Sequence, residues 1–95
     1  MEFKNVEFRL HAVERMFERG ISTEDVRQVI QSGQVIEDYL NDKPFPSCLV
    51  FGKAEGKPLH VVIATDKEAS RAIVITVYEP DPSQWEPGFE RRKQK

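Results

Sequence analysis

Residues 58–78 read PLHVVIATDKEASRAIVITVY, and this stretch decides the fold. Two runs rich in β-branched residues, 58–65 and 71–78, flank the polar turn DKEAS, the pattern of two strands joined as a hairpin. In the first run Leu59, Val61 and Ile63 alternate against Val62 and Ala64; in the second Ile73, Ile75 and Val77 alternate against Ala72 and Val74. A hairpin that is apolar on both faces predicts a sheet covered on both sides. Upstream, QVIEDYL (34–40) and SCLVFGK (47–53) keep the same period of two. The connections DKPFP and EGK are too short for crossover helices, so the four strands are expected to form an antiparallel meander.

The period changes in the first third of the chain, where two helices are expected over 8–19 and 23–32. Ser22 and Asp25 in ISTEDV read as an N-cap and its reciprocal partner, and Ile21 with Val26 reads as a hydrophobic staple. Val26, Val29 and Ile30 form the buried stripe of this second helix, and Gly33 closes it. In the first helix, HAVERMFER (11–19), Leu10, Ala12, Val13, Met16 and Phe17 are expected to face the core. His11, Glu14, Arg15, Glu18 and Arg19 then face solvent, and Gly20 ends the helix. The helical hairpin covers one sheet face. A C-terminal strap over 80–90, within EPDPSQWEPGFE, would cover the other through Trp85 and Phe89, or those two side chains would face a partner. The expected fold class is α+β, ααββββ, a single domain ending in a charged tail over 91–95.

The 95-residue chain carries 39% hydrophobic and 32% charged residues, the composition of a globular protein. No apolar run approaches the roughly 20 residues of a membrane-spanning helix, so no membrane partner is expected. MEFKNVEFRL lacks the continuous apolar segment of a secretory signal, and a cytoplasmic location is expected. The net charge is −2, but RRKQK at 91–95 carries +4, leaving residues 1–90 with 10 basic against 16 acidic side chains, a net of −6. Such a body disfavours broad electrostatic binding of nucleic acid and demands a local basic surface for any polyanion. The single cysteine, Cys48, sits in a strand and reads as core filler. The two histidines lie far apart in sequence, and the chain has neither a metal-ligand cluster nor a glycine-rich phosphate loop. No cofactor and no metal are expected.

Histidine, arginine and tyrosine remain for chemistry. These residue types suit metal-independent phosphoryl transfer on RNA, in which one group takes the 2′-hydroxyl proton, another protonates the leaving oxygen, and guanidinium groups stabilise the charged phosphorane. His11 and Arg15, one helical turn apart, can meet a common ligand. Counting back across the 66–70 turn puts Arg71 beside the end of the preceding strand and Tyr78 beside His60. The catalytic candidates are His11, His60 and Tyr78, and the phosphate-binding candidates are Arg15, Arg19 and Arg71. Each has a plainer reading: a solvated helix face for His11, Arg15 and Arg19, a hydrogen-bonded strand histidine for His60, packing for Tyr78, and a turn charge paired with Asp66 or Glu68 for Arg71.

Three motifs in order, HAxERMxxRGI (11–21), LHVVIA (59–64) and ITVYEPDPxxW (75–85), carry a resemblance over positions 8–92 to a family of small bacterial proteins known only as a domain of unknown function. That family resembles the RelE-like ribonuclease toxins, the MqsR type included, in its helical hairpin followed by an antiparallel sheet. Relatives are often encoded beside zinc-finger or helix-turn-helix antitoxin-like proteins. The resemblance implies a toxin–antitoxin type endoribonuclease acting on RNA or the ribosome, with an antitoxin from a neighbouring gene as partner and a homodimer as a further assembly. His11, Arg15, Arg19 and His60 lie within these motifs and Arg71 does not. The alternative is a noncatalytic protein-binding module of the same fold, docking through Trp85 and Phe89.

Overall fold

The hairpin of residues 58–78 forms the centre of the sheet in a computed structural model, which describes residues 1–94. Lys95, the last residue of the charged tail, lies outside the described residues. The elements run β1 (Asn5–Phe8), α1 (Leu10–Arg19), α2 (Thr23–Ser32), β2 (Gln34–Tyr39), β3 (Ser47–Ala54), β4 (Lys57–Asp66) and β5 (Arg71–Tyr78). The class is α+β, with five strands in the order β1-β5-β4-β3-β2. Strands β2 to β5 form an antiparallel meander, and β1 pairs parallel with β5 from Asn5↔Arg71 to Phe8↔Val74, which makes the sheet mixed.

That added strand corrects the expected four-stranded antiparallel sheet and the expected helix start at residue 8. Val6 and Phe8 alternate with polar neighbours and pack half-buried against the core. Arg9 keeps extended backbone, with φ −69° and ψ 150°, before α1 begins. Four residues are too short to stand out as a strand by periodicity, yet they satisfy the outer edge of β5.

A second correction lies inside β5. Val62 faces Thr76 whereas Ile63 faces Val74, so Ile75 is an extra residue, a β-bulge. The bulge shifts the phase of alternation. Val77 therefore joins Ala72 and Val74 on the helix side instead of opposing them, while Tyr78 keeps its place opposite His60.

Both helices lie on one face, α1 over β5 and α2 over β3. The core between them and the sheet includes Ala12, Met16, Val26, Val29 and Ile30 against Val50, Val61, Ile63, Val74 and Val77. Helix α2 begins with a capping box: Asp25 N–H donates to Ser22 Oγ at 3.0 Å and Ser22 N–H to Asp25 Oδ2 at 3.1 Å. Gly20 ends α1 in the left-handed region at φ 69°, where a residue without Cβ pays no steric penalty.

Helix α1 is turned relative to the expectation. Ala12 and Met16 are its buried residues, and Arg19, next along that line, donates from Nη1 to the Val77 carbonyl at 2.6 Å. Leu10, Val13 and Phe17 are 73%, 43% and 87% exposed. The helix carries two parallel stripes, 12–16–19 and 10–13–17, and hydrophobicity alone favours the wrong one. Among the described residues no helix is long and apolar enough to cross a membrane.

Gly33 makes the tightest backbone approach. A Cβ there would stand 2.5 Å from both the Phe51 and the Val29 carbonyl oxygens, and neither can yield without moving α2 or β3. Gly33→Ala is expected to cost about 1–3 kcal/mol of unfolding free energy or more, measured by urea denaturation.

Candidate functional site

The strap-side face of the sheet gathers polar groups at one end. His60 on β4 is fully buried there, because Val61 and Leu59 on either side of it in the chain face the helices. Phe51 of β3 and Tyr78 of β5 lie opposite it in register. The Trp85 ring covers it edge-on, with ring centroids 4.4 Å apart.

Both imidazole nitrogens are engaged. Nε2 stands 2.8 Å from the Phe89 carbonyl oxygen, which can only accept, so Nε2 carries the proton. Nδ1 then accepts from the Tyr78 hydroxyl at 3.3 Å. Burial pushes the imidazole below its usual range, against the opposing pull of the Phe89 carbonyl and of Glu37. Burial also raises the Tyr78 phenol. This is a neutral histidine with a fixed tautomer.

The segment after β5 forms a compact turn and hairpin instead of an extended strap. The Trp85 N–H donates to the Asp81 carbonyl at 3.1 Å, Glu86 N–H to Arg91 at 2.8 Å, and Lys93 N–H to Gln84 at 2.8 Å. Part of the charged tail, Arg91 to Lys93, is thus folded back onto the domain. Phe89 adopts φ 60°, a left-handed conformation costly to a bulky residue, and its carbonyl accepts the hydrogen bond from His60 Nε2–H. Arg92 reaches β2, where Nε and Nη2 lie 2.9 and 3.2 Å from the Glu37 carboxylate, and its guanidinium sits 4.7 Å over the Trp85 ring. The Arg92 hydrogen bond holds Glu37 below its ordinary value, and the Tyr39 hydroxyl also donates to Glu37. Burial, with Glu37 alongside, pushes Tyr39 up to about 12.

Of the sequence candidates, only His60 and Tyr78 meet. His11 is exposed on α1, across the sheet from His60, so one chain cannot bring the two imidazoles to one phosphate. Arg15 is exposed beside Glu18 at 3.8 Å. Arg19 is bound to the β5 backbone. Arg71 lies at the far end of β5 from Tyr78, paired with Asp66 and Glu7 at 3.3 Å each. Trp85, only 3% exposed, is part of the fold and does not present a free docking surface. A cleft of about 550 Å³ beside β1 and α2 is lined by residues such as Phe3, Lys4, Val6 and Arg27 and by none of these six candidates.

Glu37, Tyr39 and Arg92 were the residues sequence reasoning missed. Glu37 and Tyr39 share a face of β2 by alternation, a visible signal, whereas Arg92 required knowing that the tail folds back. Burial pushes the Cys48 thiol up to about 11, which leaves it inert as a nucleophile. Among the described residues no three of His, Cys, Asp and Glu converge to hold a metal ion.

A family model described as "Domain of unknown function (DUF4258)" matches residues 8–79, most of the chain, and the chain belongs to that family. No curated protein and no solved structure matches it.

The depressed His60 value gives stability a pH dependence of definite sign. Between the native value and the ordinary 6.5 the unfolded chain binds a proton that the native state refuses. This contribution is full above about pH 6.5 and falls as the pH drops through that window. Glu37, held below 4.5, adds a further loss only under more acid conditions. His60→Gln is expected to remove the loss that begins near pH 6.5 and keep the one at lower pH, read by urea denaturation with Trp85 fluorescence.

Proposed function

We propose that the chain is a noncatalytic protein-binding module whose recognition element is the outer face of α1, seating a helical segment of another protein. One observation carries this reading. Leu10, Val13 and Phe17 line up at i, i+3 and i+7 on the solvent side, leaving on the order of a few hundred Å² of contiguous apolar surface on a small domain. That spacing is the anchor pattern of helix recognition. The family resemblance supplies a natural partner, an antitoxin-like protein encoded next to this one. Phe17→Glu is expected to abolish co-purification with the neighbouring gene product while leaving thermal unfolding unchanged, since Phe17 supports nothing in the fold. Co-purification that survives the substitution overturns the proposal.

The endoribonuclease reading keeps one observation in its favour: His60, Tyr78, Glu37 and Arg92 form one acid–base and cation cluster. As folded, Phe89 and Trp85 cover the imidazole, and Arg92 is neutralised by Glu37. The binding-module reading expects purified protein to leave free RNA and ribosome-bound mRNA intact in EDTA. Cleavage to 2′,3′-cyclic phosphate ends, lost in His60→Ala and retained in Phe17→Glu, would establish the enzyme instead.

A further inference from the structure

We infer that the exposed stripe of α1 is built for a short amphipathic helix of another chain whose own apolar stripe is bordered by lysine or arginine, and not for a second copy of this chain. The inference rests on the docking reading above and adds the chemistry of the occupant.

Around the α1 axis the stripe has two unlike borders. On one side it runs into Ala12 and Met16, which turn into the sheet. On the other stand Glu14 and Glu18, both exposed, with His11 and Arg15 a further step around the helix. The rim beside the stripe is therefore acidic. The Arg15 contact with Glu18 does little to mask it: the groups are 3.8 Å apart, with 56% and 60% of their side chains exposed, a pair that a partner's cation can replace at small cost. The chain as a whole has the same sign, a net charge of −2 with the folded-back tail included.

Length and area narrow the occupant further. The seven residue steps from Leu10 to Phe17 span about 10 Å, two turns, which matches two turns of a docked helix with three anchors. A stable dimer needs about 800 Å² from each partner, well beyond what this stripe offers. Charge argues against self-pairing as well. A two-fold axis through the middle of the stripe passes near Val13 and Glu14, so the acidic rims of two copies would face each other, a repulsive arrangement. A partner with a basic rim turns the same geometry into attraction.

The test uses the full chain and two fluorescein-labelled helical peptides of about 18 residues. They share one leucine stripe at i, i+3 and i+7, one bordered by lysine and the other by glutamate. Fluorescence anisotropy is expected to show the lysine-bordered peptide binding at least about tenfold more tightly, an advantage that shrinks with added salt. The double substitution Glu14→Lys with Glu18→Lys is expected to reverse the preference, and Phe17→Glu to abolish binding of both peptides. Equal binding of the two peptides overturns the basic-rim assignment and leaves the docking reading standing. Binding of neither, or binding that survives Phe17→Glu, overturns both. Sedimentation velocity showing a concentration-dependent dimer that Phe17→Glu breaks would make a second copy the occupant and overturn the inference.

Discussion

Strands β4 and β5 carry apolar side chains on both faces, and a sheet of that kind holds together only when water is kept from each. The rest of the architecture answers this demand twice. The helical hairpin from the first third of the chain covers one face, and the folded segment after β5 covers part of the other. The two covers differ in chemistry. Under the helices the contacts are aliphatic, Val and Ile against Val, Ile and Met. Under the C-terminal segment they are aromatic and polar, joined by hydrogen bonds and an ion pair.

His60 explains why the second cover can be so small. A short segment has little area with which to hold itself down by hydrophobic burial alone. A neutral imidazole offers one donor and one acceptor at fixed angles, so the sheet can grip the segment's backbone at Phe89 and be braced from below by Tyr78. Arg92 adds a second fastening at Glu37 and covers the outer face of Trp85. Residue types that suggest acid–base chemistry in sequence are used here for attachment. The arrangement that makes His60 a good fastener engages both ring nitrogens and keeps the ring dry.

Much of this was legible in the sequence, and the parts that were not have definite physical causes. The α2 capping box was readable because its donors and acceptors lie within four residues of one another. The facing of His60 and Tyr78, and of Asp66 and Arg71, followed from counting across a short turn. Strand β1 was hidden because its partner is more than sixty residues away and its own pattern is too brief to register. The bulge at Ile75 was hidden because a single inserted residue leaves hydrophobicity unchanged while reversing which side each residue faces. The rotation of α1 was hidden because Arg19, a charged residue, is the one that turns inward, satisfying a strand-end carbonyl. At the candidate site, His60 and Tyr78 were visible as a pair, whereas Glu37 and Arg92 belong to it only through the fold of the tail.

The pairing of β1 with β5 gives the domain an order of assembly. A chain emerging from the ribosome presents β1 and both helices first, yet β1 has no strand to bond until β5 has followed it out, and His60 stays wet until residues beyond 85 arrive. Helix α1 can dock only on β5, the last strand to be made, whereas α2 waits for β3. Such a topology couples the two ends of the chain into one cooperative event, since contacts of long sequence separation must form before local ones are secured. Half-made chains therefore expose the apolar faces of β3 and β4 at the stage when strand edges are most prone to pair with the wrong neighbour.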